Sequence, residues 1–177
     1  EVTGKLVAAS VGPYGAILGD GSEYRGHYGL TAEELEQFHR PRMAALISAG
    51  PDVLAIETIP DIEEAKVLAK LLAEFEHPAW FSYSIDGQRT CAGQGLAEAF
   101  AIAAAVDSVF AVGVNCCAPA DVAPALQAVA ETGKAAVAYP NAGEIWDSEN
   151  SQWLGAASYD PTLVPGWIDA GASWIGG

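Results

Sequence analysis

The sequence has 177 residues, 51% of them hydrophobic, with 8 basic against 23 acidic side chains and a formal charge of −15. That length suits one domain and that apolar share suits a packed core, so global disorder is excluded. The acidic balance argues against a nucleic-acid partner, because phosphates require a basic footprint.

In chain order, the first short apolar run is Leu6–Ser10, read as a strand. Thr31 then precedes AEELEQFHRPRMAALIS, and Thr31 with Glu34 has the spacing of a capping box. Pro41 inside that helix is expected to kink or restart it. A second strand is read at Val53–Glu57. Asp61 and Glu64 repeat the capping-box spacing ahead of a helix whose Ala65, Leu68, Leu72 and Phe75 share one face. Strand Trp80–Ser84, helix Leu96–Val106, strand Ala111–Asn115, helix Ala120–Ala130 and strand Ala135–Tyr139 follow. Asp160-Pro161 starts a last helix, weakened by Pro165 and Gly166, before strand Ser173–Gly176.

Each strand run is nearly continuous in its hydrophobicity, as buried parallel strands are, and a helix separates most of them. Repeated βα units of this kind predict an α/β fold with a parallel sheet. No Gly-rich dinucleotide fingerprint accompanies them, which favours a barrel over a doubly wound sheet. A closed (β/α)8 barrel needs eight strands and about 250 residues. The expectation is therefore a single domain over residues 1–177 that is a partial TIM-type barrel. The chain starts at Glu1 rather than Met and stops at Gly177, and both ends read as cut.

The longest clean apolar run, Ala99–Val106, is far short of the ~18–20 residues that cross a bilayer. No membrane partner is expected. Cys91, Cys116 and Cys117 make no disulfide framework, which favours a reducing, cytoplasmic location.

Polar residues collect at the C-terminal tips of the strands, where βα barrels carry their chemistry. Ser10 is followed by Gly12-Pro13-Tyr14-Gly15. The second strand ends Glu57-Thr58-Ile59-Pro60, the fourth Asn115-Cys116-Cys117, and the fifth Tyr139-Pro140-Asn141 with Glu144 close behind. Any one of these also suits a helix cap or a turn. Glu57 ends the apolar run VLAIE, where a charge is costly unless it is paired. It either pairs with a basic neighbour or anchors a ligand ammonium, and the scarcity of basic residues favours the ligand. Cys116-Cys117 suits a buried pair of small side chains or a thiolate ligand, but a zinc site needs about four ligands. His27, His39 and His77 show no metal spacing, and no G-x-S-x-G is present.

Taken together, VAASVGPYGAILGDGSEYRGHY (7–28), ELEQFHRPRMAAL (34–46), VLAIETIPDIEEA (53–65), WFSYSIDG (80–87), AVGVNCCAP (111–119), VAYPNAGEIWD (137–147) and WIGG (174–177) resemble the homocysteine S-methyltransferase family. The likeness is nearest to members that take the methyl group from S-methylmethionine or S-adenosylmethionine. It implies a (β/α)8 barrel of which the third to eighth strands are present. It also implies Zn2+ held by three cysteines. One is Cys116, with Cys117 as the fallback, because strict alternation along Val112–Asn115 would aim Cys117 inward. The other two are expected beyond Gly177. Glu57 and Asn115 would bind the substrate, Glu57 through the homocysteine amino group. Tyr14, Asn141 and Glu144 are the donor-side rim candidates.

The implied partners are homocysteine and a methylsulfonium donor, with methionine as product. A homocysteine thiol, with a pKa of about 8.5 by analogy with cysteine, is mostly protonated at neutral pH, and zinc removes that proton. The sulfonium leaves as a neutral thioether, so no strong general acid is needed. The alternatives are an inactive, truncated or degenerate barrel, or a family methyltransferase that uses betaine or methyl-cobalamin.

Overall fold

A computed structural model describes residues 4–147, 150, 152–156 and 159–176. Its strands are β1 Ala8–Val11, β2 Val53–Ile59, β3 Ala79–Tyr83, β4 Ile85–Asp86, β5 Arg89–Thr90, β6 Val109–Asn115, β7 Ala135–Tyr139, β8 Ile145–Asp147, β9 Gln152–Leu154 and β10 Ala172–Ile175. Its helices are α1 Ala32–Ser48, α2 Ile62–Phe75, α3 Leu96–Ala104, α4 Pro119–Ala130 and α5 Val164–Asp169. Among the described residues one sheet of six strands runs in the order β1-β2-β3-β6-β7-β10, every neighbouring pair parallel. This is the expected α/β arrangement, a partial barrel. The hairpins β4-β5 and β8-β9 are antiparallel insertions behind the tips of β3 and β7, and they were not expected from hydrophobic runs. Strands of two or three residues leave no periodicity to read.

Side-chain alternation divides each main strand between two surroundings. Leu54 and Ile56 of β2, Phe81 and Tyr83 of β3, Val112 and Val114 of β6, and Ala136 and Ala138 of β7 lie in the buried cluster with Leu68, Leu72, Phe100 and Leu126 of the helices, and Ile59 joins them past the register shift that follows Ile56. The opposite parity, Ser10, Glu57, Trp80, Gly113, Asn115, Val137 and Tyr139, lines the inner face. Removing so much apolar surface from water drives the layers together at roughly 25 cal/mol per Å2.

The helices match their local chemistry with three corrections. Thr31 and Glu34 form the capping box, and Glu34 is held below the usual carboxylate range by the Thr31 backbone N–H and hydroxyl. Pro41 neither restarts nor breaks α1, which is continuous from Ala32 to Ser48. Pro41 and Gln37 both lie on the exposed face, so the carbonyl that loses its amide partner there faces water. At α2, Asp61 caps through the Glu63 N–H at 3.0 Å, but Glu64 does not complete a capping box. It turns inward and is 1% exposed. There it meets His39 Nε2 at 2.8 Å and accepts the Tyr14 N–H at 2.6 Å and the Tyr28 hydroxyl at 3.2 Å. The last helix is shorter than expected. A 3-10 turn, Pro161–Leu163, precedes α5, whose first turn contains Pro165.

The edges of the sheet are open, since β1 pairs with β2 and β10 with β7 and neither has a second partner among the described residues. Leu6, Val7, Trp174 and Ile175 are exposed along those edges. Unpaired strand edges with apolar side chains template further pairing. The purified chain should therefore associate with rising concentration in sedimentation or light scattering. A monodisperse monomer with one sharp, cooperative unfolding transition would contradict this. Replacing Glu64 by Ala leaves the fully buried His39, the Tyr14 N–H and the Tyr28 hydroxyl without their shared acceptor. It should cost about 3 kcal/mol or more in denaturant unfolding.

Candidate functional site

The tips of β2 and β6 are joined by one carboxamide. Asn115 is 1% exposed. Its Oδ1 accepts the Thr58 backbone N–H at 2.7 Å, and its Nδ2 donates to Thr58 Oγ1 at 2.8 Å and to Cys116 Sγ at 3.3 Å. Thr58 Oγ1 also donates to the same sulfur at 3.5 Å. Both residues held this way are left-handed, Thr58 at φ 61° and Cys116 at φ 48°. For a β-branched residue that conformation is strained and persists only where its surroundings enforce it. Here Asn115 supplies both the acceptor and the donor that enforce it.

The left-handed turn at Cys116 ends the alternation of β6. Cys116 is half-buried at the rim, whereas Cys117 is 3% exposed and belongs to the apolar core. Burial pushes the Cys117 thiol up to about 12. The backbone on either side ties the tip to β7. Cys116 N–H donates to the Tyr139 carbonyl at 3.2 Å, and the Asn141 N–H donates to the Cys117 carbonyl at 2.9 Å.

Glu57 projects from β2 onto the inner face. Ser10 Oγ donates to its Oε1, and the Tyr139 hydroxyl donates to its Oε2 at 3.0 Å. The Trp80 indole N–H donates to the Tyr139 oxygen at 2.9 Å, with the two rings edge to face, 6.4 Å apart at 81°. Among the described residues no Lys, Arg or His forms an ion pair with Glu57. Burial raises the Tyr139 phenol, and the Glu57 charge raises it further, so it stays a donor.

Two more groups lie within electrostatic range of the rim thiol. The Tyr24 hydroxyl lies against Cys116, its pKa raised by burial first and then by the charge of Cys116. Cys91, hydrogen-bonded to Ser84, also feels Cys116, and burial raises its thiol. Thus Glu57, Asn115 and Cys116 share one neighbourhood, and Asn141 joins it through its backbone. Glu144 is half-buried just ahead of β8. The Tyr14 ring sits elsewhere, against Phe38 at 5.0 Å and Tyr28 at 5.4 Å, its N–H on Glu64. Sequence reasoning did not single out Thr58, Tyr24 or Trp80 as site residues. For Trp80 a signal existed, because it has the inward parity of its strand.

As a metal centre the described residues are incomplete. Cys116 offers one soft donor, and no group of three or more His, Cys, Asp or Glu among the described residues is placed to hold an ion. Likewise, among those residues no helix is long and apolar enough to cross a membrane.

Comparison with known proteins gives this geometry its context. Residues 1–177 match the family described as homocysteine S-methyltransferase. Homocysteine S-methyltransferase 1 of Zea mays is 45% identical over 183 residues, covering 97% of this chain and 56% of that protein. Homocysteine S-methyltransferase YbgG of Bacillus subtilis (strain 168) is 46% identical over 179 residues, with the same coverage of 97% and 56%. The metallated form of the homocysteine methyltransferase MmuM from Escherichia coli superposes with a TM-score of 0.82 at 40% identity, over 97% of this chain and 56% of that one. The chain thus spans little more than half the length of the relatives it matches. With its parallel partial barrel and whole-chain match, the chain belongs to the homocysteine S-methyltransferase family.

Proposed function

We propose that this chain supplies the homocysteine-binding part of a methyltransferase that moves a methyl group from a sulfonium, S-methylmethionine or S-adenosylmethionine, to homocysteine, forming methionine. The observation that carries the reading is Glu57, a carboxylate on the inner face with no ion-pair partner among the described residues, near the rim thiol of Cys116. A half-buried carboxylate held only by neutral donors is open to a cation, and the homocysteine ammonium is such a cation. Holding the acceptor at a fixed point is itself a large part of catalysis, since it replaces a bimolecular encounter by an oriented one.

In this reading Cys116 is one of three thiol ligands of Zn2+, and the other two lie outside this sequence. The residues present fit the ion only as far as that single donor. The metal, when bound, would keep the homocysteine sulfur as a thiolate at neutral pH. Asn115 and Thr58 hold Cys116 in its left-handed conformation and direct their hydrogen bonds to its sulfur. Because the donor departs as a neutral thioether, the site needs no strong acid beside the sulfur. Asn141 and Glu144, beyond the tip of β7, are the donor-side candidates here. Tyr14 would act on that side by shaping the loop after β1. Three free cysteines accord with a reducing, cytoplasmic setting.

Three measurements test these assignments. The polypeptide that carries this chain should form methionine from homocysteine and S-methylmethionine, lose that activity in Cys116→Ala and keep it in Cys117→Ala. The reverse pattern would overturn the choice of ligand. Metal analysis of the 177-residue chain should find zinc well below one ion per chain, because a single thiol does not replace a full donor set. Near-stoichiometric zinc would contradict that. Brief alkylation of the native chain at mildly alkaline pH should modify Cys116 and spare Cys117 until the chain unfolds, as peptide mass mapping would show.

A further inference from the structure

The contacts of Glu57 have a direction that its position alone does not explain. An indole N–H only donates, a carboxylate only accepts, and a phenol does both. With Trp80 Nε1 donating to the Tyr139 oxygen at 2.9 Å and Glu57 Oε2 at 3.0 Å from it, the phenol proton is directed to the carboxylate. Chains of this kind polarise along their length, each bond strengthening the next. Ser10 Oγ occupies the other carboxylate oxygen. Glu57 is therefore oriented from both sides by neutral hydroxyls, and neither cancels its charge.

The route of the chain depends on what lies between its ends. Trp80 stands on β3 and Tyr139 on β7, with β6 between them. Trp80 pairs in register with Ala111, and Tyr139 with Asn115. Between those positions β6 carries Gly113, where an added Cβ would meet the Val137 carbonyl oxygen at 1.8 Å. With nothing larger than Ala111 and Gly113 there, the two aromatic side chains meet over β6.

We propose that Tyr139 and Trp80 are positioning residues that aim Glu57 at the α-ammonium of an amino-acid ligand and so set the preference of the site for acceptors that carry that group. This rests on the reading of Glu57 as an ammonium anchor and says what keeps it ready. An ammonium presents N–H donors to the remaining carboxylate lone pairs, whereas a methylsulfonium presents none. The aimed carboxylate thus favours ligands that carry the α-ammonium over those that lack it.

The test uses the polypeptide that carries this chain and titration calorimetry with methionine, which carries the α-ammonium and needs no metal thiolate, beside its desamino analogue. The unsubstituted chain should prefer methionine by about tenfold or more, the scale of one charge-assisted hydrogen bond. Glu57→Gln should abolish the preference. Tyr139→Phe keeps the ring and removes the hydroxyl. It should weaken methionine about tenfold and leave the desamino analogue unchanged. Trp80→Phe, which removes the orienting N–H together with part of the ring, should shift methionine the same way by less. Equal weakening of both ligands in Tyr139→Phe, or no weakening of either, while Glu57→Gln still abolishes the preference, would overturn the relay and leave Glu57 standing. No preference in the unsubstituted chain, or one that survives Glu57→Gln, would overturn the anchor itself and the relay with it.

Discussion

The tie from Asn115 to Thr58 is the contact on which the geometry of the rim depends. Parallel strands hydrogen-bond side by side, but β2 and β6 are not neighbours, because β3 lies between them. The ladder sets one tip against the other only through β3. The buried carboxamide does so directly, accepting a backbone N–H and donating to a hydroxyl on the same residue. Two left-handed residues, each costly alone, are held in place by that bridge. Through it the thiol of Cys116 and the carboxylate of Glu57 belong to one rigid frame.

A second buried polar group does similar work outside the barrel. Glu64 is enclosed by His39 of α1, by the Tyr14 N–H behind β1 and by the Tyr28 hydroxyl, so one carboxylate fastens two helices and a loop. A buried charge is tolerated only when its lone pairs are filled, and here they are filled by groups distant in sequence. Arg42 supports the same loop, donating to the Gly12 carbonyl at 3.3 Å while its guanidinium lies 4.6 Å from the Phe38 ring centre. The loop after β1 is consequently built as a packed aromatic corner, with Tyr14 as part of its wall.

The strands were legible because both their faces are buried, which leaves continuous apolar runs in the sequence. Thr31 and Glu34 were legible because a capping box is local. Glu64 shows where such reading stops. Its spacing from Asp61 equals that of a capping box, and only the approach of His39 and Tyr14 from elsewhere in the chain decides that it faces inward. Pro41 misleads for a related reason, since the cost of a lost helix hydrogen bond depends on whether the freed carbonyl meets water. At the site, Glu57 was legible as a charge ending an apolar run. The conformation of Cys116 was not, because alternation along β6 would turn Cys117 inward, whereas Cys117 packs in the core, and the turn that breaks the alternation is enforced by a contact to β2.

The same contrast separates the two kinds of electrostatics in this molecule. A formal charge of −15 favours the approach of cationic ligands, but over a distance of about 8 Å physiological salt screens most of it. Selectivity has to come from charge inside that radius. Glu36, Glu63 and Asp20 on the surface are taken up by Lys70, Arg40, Lys66 and Arg25. Glu57 is held instead by a serine, a tyrosine and, through it, a tryptophan. Neutral donors fix its direction and leave its charge intact, which a lysine or arginine in their place would not. The composition of the inner face, small at β6 and aromatic at β3 and β7, is what allows a half-buried carboxylate to be both held and available.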